Sequence, residues 1–219
     1  MDRPTCSITN ALAEAYSEAH TSPEDDVLYQ INRSIHLHTS NPRMSSGPYQ
    51  GRWLQMVSEM LAPKVVVEIG VFAGYATICL ARGLAEGGVL YAVEAEDEYE
   101  DFIRENLRLA AMEDRVNLCI GRALQVIPTL PDDIDLVYLD ADKINYLQYY
   151  EQLVSKIRKG GILMIDNVLW SGKVLYDQPQ GDRETAVLKS LNGSGRDAMH
   201  LKRKDRDQHL CHSGPRMIY

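Results

Sequence analysis

The side chains best suited to chemistry stand at the ends of two apolar runs. Leu136-Val137-Tyr138-Leu139 leads into Asp140-Ala141-Asp142-Lys143, and Ile162-Leu163-Met164-Ile165 leads into Asp166-Asn167. Brought together from adjacent strand ends, two carboxylates and an amide oxygen form a hard oxygen cluster suited to Mg²⁺ or Ca²⁺. Without a cation, like charges at such range repel and one acid tends to protonate. The plainer alternative is that Asp142 and Asp166 cap helices or turns.

A third run, Val65-Val66-Val67-Glu68-Ile69-Gly70-Val71-Phe72-Ala73-Gly74-Tyr75, passes through an acid to two glycines and opens onto a helical pattern. Glycines there let the backbone turn tightly and approach a nucleotide, and the following helix offers unpaired N–H groups. The dinucleotide fingerprint G-x-G-x-x-G fails, because counted from Gly70 its second and third glycines are Phe72 and Tyr75. NAD is disfavoured, and a dehydrogenase with it. A ligand without phosphates, such as S-adenosylmethionine, does not need that close approach. Glu68 points the same way, since it would repel a pyrophosphate but bind the cation of an amino-acid tail. An ordinary β-α turn is the alternative. Glu94 ends Val89-Leu90-Tyr91-Ala92-Val93, where nucleotide folds place an acid on ribose hydroxyls. Otherwise it starts the next helix.

The elements that must hold these residues alternate from Pro63 onward. Strands are expected near Lys64–Ile69, Val89–Glu94, Arg115–Ile120, Ile134–Asp140 and Ile162–Asp166, and helices near Tyr75–Ala85, Glu98–Met112, Ala123–Leu130 and Ile144–Arg158. That order implies right-handed crossovers and an α/β doubly wound parallel sheet, with ligands beyond the carboxyl ends of the strands. Ahead of it, Ser7 to His20 has helical spacing, and Ser22-Pro23-Glu24-Asp25-Asp26 is a helix start. His36 and His38 close that helix and interact with its terminal carbonyls rather than serving as ligands. The turn-rich stretch from Asn41 to Gly51 is a loop whose candidate role is to close over a cofactor, and it leads into a helix carrying Trp53, Leu54, Val57, Met60 and Leu61.

The whole chain of 219 residues reads most simply as one domain, with helices and lid over 1–62, a cofactor-binding core over 63–191 and a separate segment over 192–219. With 23 basic and 31 acidic side chains, the net charge of -8 gives no overall footprint for nucleic acid. Cys6, Cys79, Cys119 and Cys211 have no metal-site spacing, imply no disulfide framework, and Cys79 and Cys119 read as small buried hydrophobes. The N-terminus lacks an apolar signal core, and no apolar run reaches about 18 residues. A cytoplasmic protein without membrane association is expected.

Taken together, Val67 to Tyr75, Tyr138 to Lys143 and Asp166-Asn167-Val168-Leu169-Trp170-Ser171-Gly172 resemble the cation-dependent class I O-methyltransferases. Relatives there include catechol O-methyltransferase, plant caffeoyl-CoA O-methyltransferase and small bacterial enzymes. The resemblance covers roughly Met44 to Asp177 and implies a seven-stranded Rossmann-like sheet whose last two strands form an antiparallel edge hairpin. It implies Asp140, Asp166 and Asn167 as ligands of Mg²⁺, Ca²⁺ or Mn²⁺, with Asp140 and Lys143 in catalysis and Lys143 as general base. In the S-adenosylmethionine site it implies Glu68, Gly70, Phe72, Gly74 and Ala76, with Glu94 on the ribose, Arg122 and Ala123 at the adenine, and Asp140. Met44, Ser46 and a helix start at Gly47 match the segment over the cofactor. Trp170 matches an aromatic near the acceptor, with core packing as its alternative, and a homodimer is the family's pattern.

The implied activity is methyl transfer from S-adenosylmethionine to a hydroxyl of a small catechol-like or hydroxylated aromatic acceptor. Two other readings share the scaffold: a methyltransferase acting on a tRNA uridine hydroxyl, which the acidic balance disfavours, and a non-catalytic S-adenosylmethionine-binding protein. Past about Leu191 the resemblance stops. Gly193 to Leu210 alternates poorly and is densely charged, so a central strand is not expected. A divergent edge hairpin, a disordered tail and a change of reading frame remain open for it. Lys202-Arg203-Lys204 reads as a solvated face rather than a nucleic-acid contact.

Overall fold

The computed structural model describes residues 11–177, 181–201 and 209–212. Its strands are β1 (Val65–Ile69), β2 (Val89–Glu94), β3 (Val116–Ile120), β4 (Ile134–Leu139), β5 (Ile157–Ile165) and β6 (His209–His212). All pairings among them are parallel, in the order β3-β2-β1-β4-β5-β6. The direction of winding reverses between β1 and β4, the place where such sheets open a crevice beyond the strand ends.

Alternation along each strand feeds two cores. Val66, Leu90, Leu136, Tyr138 and Met164 face helices α2 (Asp26–His38), α3 (Gly47–Leu61), α4 (Tyr75–Arg82) and α5 (Glu100–Leu109). Val67, Ile69, Val137, Leu139, Leu163 and Ile165 face α6 (Ala123–Val126), α7 (Tyr146–Val154) and α8 (Arg183–Leu201). A leucine or isoleucine wholly withdrawn from water contributes about 1.5–3 kcal/mol, and the central strands are lined with such residues on both sides. A run like Val-Val-Val-Glu-Ile is therefore apolar at nearly every position rather than at every second one.

At the opposite, amino-terminal end of the strands, Asp135 ties three segments together. Its Oδ2 accepts hydrogen bonds from the backbone N–H groups of Lys64 (2.7 Å) and Val65 (2.8 Å), and its Oδ1 accepts one from Arg158 Nε (2.5 Å). Burial works against the charge, but these donors outweigh it and hold the carboxyl below its ordinary range.

Several boundaries differ from the sequence reading. The cap of α2 is Asp25, whose side chain accepts from Leu28 N at 3.0 Å, so Ser22 and Pro23 precede the helix rather than start it. As expected, His36 and His38 donate from Nδ1 to carbonyls of the turn before them, Asn32 O and Ser34 O. The helix expected to reach Arg158 ends at Val154, and β5 starts five residues earlier than Ile162. Gly160 and Gly161 interrupt the apolar pattern there, and the β4–β5 register shifts between Ile134 and Leu136. Helix α1 (Ala11–Ala19) occupies the described part of the first expected helix. Cys79 is wholly buried and its thiol is pushed up to about 12 by burial, whereas Cys119 is only half-buried, on the edge strand β3.

The C-terminal segment departs most. Leu188 and Leu191 pack into the second core and Asn192 Nδ2 donates to Val168 O (3.0 Å), so the helix they anchor continues to Leu201. In place of the implied antiparallel hairpin, the described residues hold one short edge strand, β6, parallel to β5. The basic cluster Lys202-Arg203-Lys204 lies outside the described residues.

Candidate active site at the carboxyl ends of the strands

The ladder itself assembles the site. Gly70 N donates to Val93 O (2.9 Å), Asp140 N to Ile69 O (2.8 Å) and Asp166 N to Leu139 O (3.0 Å), which sets the residues just past β1, β4 and β5 side by side. Gly70 has φ +92°, and a Cβ on it would overlap the Asp140 carbonyl. Its glycine therefore answers to the neighbouring strand end, a protein contact, as much as to a ligand. Gly74 (φ +83°) opens α4 and has ordinary room around it. Phe72, Asn167, Trp170 and Ser171 also have positive φ, between 46° and 58°. That region costs a non-glycine residue about 1–2 kcal/mol, and these four stand in the two loops that flank the crevice, with Ala62, Ala111 and Asp133 elsewhere.

Glu94 is bound wholly by backbone. Its Oε2 accepts from Val71 N (3.0 Å) and Phe72 N (2.7 Å), and its Oε1 from Ala95 N (2.8 Å) and Glu96 N (3.0 Å). The acid thus braces the glycine loop from the end of β2. Glu68 contrasts with it, having no exposed surface and no hydrogen-bond partner on either oxygen. Burial pushes it up to about 8, with the charges of Asp140 and Glu94 adding to the shift. The Thr77 hydroxyl beside it offsets this only in part and is itself outside hydrogen-bond geometry. Ala76 is buried in α4, and Ala123 is buried at the start of α6 with Arg122 exposed before it. Met44 is exposed, and Ser46 immediately precedes α3, which starts at Gly47 as expected.

On the other side of the crevice side chains dominate. Lys143 is 7% exposed, and its Nζ donates to Asp140 Oδ1 (2.8 Å), Ala141 O (3.0 Å) and the Tyr146 hydroxyl (2.6 Å). Asp166 accepts four hydrogen bonds: Oδ1 from Asn167 N (2.6 Å) and Nδ2 (3.1 Å), Oδ2 from Gln50 Nε2 (2.5 Å) and the Tyr138 hydroxyl (2.9 Å). Burial, followed by the charge of Asp140, still pushes its carboxyl up to about 6. This is the protonation tendency expected of paired acids. Burial also drives the Tyr138 hydroxyl far above its ordinary value, so it remains a donor.

The arrangement suits a hard cation through a mixed donor set. Among the described residues no three His, Cys, Asp or Glu side chains cluster, and the oxygen donors that could hold such a cation are Asp140, Asp166 and the Asn167 amide. Asp142 turns away and holds the side chains of Asn145 (2.6 Å) and Tyr149 (2.5 Å), which is the turn-building alternative raised for it. Trp170 packs partly on the second core with an unpartnered indole N–H, and its ring centre lies 5.9 Å from Lys143 Nζ.

A family model described as O-methyltransferase matches residues 18–200. The chain belongs to the O-methyltransferase family. The match reaches further in both directions than the motifs alone suggest. This O-methyltransferase is 31% identical to a catechol O-methyltransferase of Niastella koreensis over 156 residues, 69% of this chain and 70% of that one. It is 28% identical to a caffeoyl-CoA O-methyltransferase of Stellaria longipes over 163 residues, 72% and 67% of the two chains. In structure it is similar to an O-methyltransferase of Streptomyces achromogenes involved in tomaymycin synthesis and solved with SAM, with TM-score 0.77, 26% identity and coverage of 84% and 83%. A Bacillus cereus O-methyltransferase solved with SAH gives TM-score 0.77 at 28% identity, covering 84% of each chain.

Three residues of the candidate site were given no role in the sequence reading. Tyr138 stands near the end of β4, two positions before Asp140, so strand alternation held a signal for it. Tyr146 follows Lys143 by one helical turn. Gln50 carried no signal, because its partner Asp166 lies 116 positions away.

Proposed function

We propose that this O-methyltransferase moves a methyl group from S-adenosylmethionine to a hydroxyl of a small catechol-like or hydroxylated aromatic acceptor, with a divalent cation, Mg²⁺ foremost, at Asp140, Asp166 and Asn167. The observation that carries the reading is the grouping of Asp140, Lys143, Asp166 and Asn167 at neighbouring strand ends. When bound, the sulfonium supplies an electrophilic methyl and the cation acidifies the acceptor hydroxyl and neutralises its developing charge.

The chain's own residues account for the rest. Lys143 is the group placed to receive the hydroxyl proton, its Nζ held by the Ala141 carbonyl and the Tyr146 hydroxyl. Trp170 lines the acceptor side beside it. Across the crevice, Gly70, Phe72, Gly74 and Ala76 shape the donor site. Glu94 and the Arg122–Ala123 turn receive its nucleoside, Met44 and Ser46 cover it, and Glu68 is the buried acid beneath its amino-acid end. Holding donor and acceptor in line converts a bimolecular step into an effectively intramolecular one.

The test is methyl transfer from labelled S-adenosylmethionine to catechols, hydroxycinnamates and bulk tRNA, each with Mg²⁺ and with EDTA. Transfer to a catechol or hydroxycinnamate that EDTA abolishes is the expected result. Transfer that survives EDTA removes the cation from the reading, and transfer to tRNA alone replaces the acceptor class.

A further inference from the structure

Gln50 lies in the first turn of α3, and Gly51 beside it lets that helix seat close on α4, since a Cβ there would overlap the Tyr75 ring and the Cys79 sulfur. From this position Gln50 Nε2 donates to Asp166 Oδ2 (2.5 Å) and to the Tyr138 hydroxyl (2.8 Å), while that hydroxyl donates to the same Oδ2 (2.9 Å). The amide atom facing Asp166 is the nitrogen, because a carboxylate oxygen only accepts.

The two oxygens of Asp166 are therefore not equivalent. Oδ2 is held by two donors from α3 and β4, both packed in place. Oδ1 accepts from the Asn167 backbone N–H (2.6 Å) and from its side-chain Nδ2 (3.1 Å), and that amide can turn to offer its oxygen instead, which leaves Oδ1 a lone pair. We infer that Gln50 is a positioning residue for the cation: with Tyr138 it clamps Oδ2 of Asp166, so that Oδ1 and Asn167 form the face presented to the metal. The inference rests on the cation-dependent reading above and extends it to a residue on the helix that covers the donor. Outer partners of this kind set the orientation of a ligating carboxylate, and their loss weakens metal affinity by about 10–100-fold.

The experiment uses the full chain and Mn²⁺ alone, with its affinity measured by paramagnetic resonance or calorimetry and no methyl acceptor present. Gln50→Met, which keeps the volume and removes the donor, is expected to weaken Mn²⁺ binding about 10–100-fold. Tyr138→Phe, which removes only a hydroxyl, is expected to weaken it in the same direction. Thermal unfolding of each variant without metal separates a fold defect from a site defect, since a purely structural role lowers the midpoint and leaves the Mn²⁺ affinity of the folded protein alone. Unchanged affinity in both variants overturns the clamp. Tighter binding in Gln50→Met also overturns it, because the amide would then be a competitor of the cation. Wild-type protein that binds no Mn²⁺ overturns the cation reading itself, and the clamp with it.

Discussion

The two sides of the crevice are built from different material. On the β1–β2 side the groups that brace one another are backbone: Glu94 is held by four main-chain N–H groups, and Gly70 and Gly74 are required by their dihedral angles. On the β4–β5 side they are side chains, with Asp166 satisfied by Gln50, Tyr138 and Asn167, and Lys143 by Asp140 and Tyr146. A backbone-built site depends on a few conformationally special residues and tolerates change elsewhere. A side-chain-built site puts its specificity into individual atoms, so deleting one leaves buried groups unpaired.

Substitutions can break or sharpen this contrast. Asp140→Ala should have the largest effect, lowering kcat/KM at least about a thousandfold and removing dependence on Mg²⁺, since a bound cation supplies several kcal/mol of charge stabilisation. Steady-state kinetics with and without EDTA read both, and activity within tenfold of wild type would contradict the role. Lys143→Ala should lower kcat by about 10²–10⁴-fold while S-adenosylhomocysteine affinity is kept; an unchanged kcat would remove Lys143 as the base.

On the backbone side the effects should appear in stability. Gly70→Ala combines an overlap with the Asp140 carbonyl and a left-handed φ, a loss of about 2–5 kcal/mol in urea unfolding. Next comes Asp135→Asn, remote from the crevice, with about 1–3 kcal/mol lost near neutral pH and methyl transfer per folded molecule unaltered. Its folded carboxyl is held below the unfolded value, so its contribution is present above about pH 3.9. That contribution fades as pH falls through the lowered folded value. Unfolding curves of wild type and variant should therefore converge on acidification, and a gap that widens would reverse the assignment. Gly74→Ala, whose new methyl would meet only Ile103 at ordinary contact distance, should cost only about 1–2 kcal/mol. Equal losses at Gly70 and Gly74 would mean that φ, rather than the contact across the switch point, governs both.

The same contrast explains what could be read in advance. The strand positions, the glycine loop and the acids at the strand ends were legible, because each is a local pattern: β-branched runs, a glycine where φ must be positive, a polar residue closing an apolar run. The Asp142 alternative was also legible, and its carboxylate does serve the start of α7. What escaped depends on distant partners. Gln50 acquires its meaning only when α3 lies across β4 and β5, and Asp135 only when β1 and β5 flank β4. The end of α7 was misjudged because apolar spacing runs on through Leu153, Val154 and Ile157, and tertiary pairing rather than periodicity turns the last of these into strand. The helical run from Gly193 to Leu201 was hidden by glycine and charge, which argue against structure locally and are overridden by the anchored turn before them.

The contact of Gly70 with Asp140 has a mechanical consequence. The close approach of the two strand ends and the hydrogen bonds in register brace the floor of the crevice. Helix α3 is tied to that floor by the two hydrogen bonds that Gln50 makes to Tyr138 and Asp166. Any displacement of α3 from β4 and β5 therefore loosens the Asp166 carboxyl group at the same time.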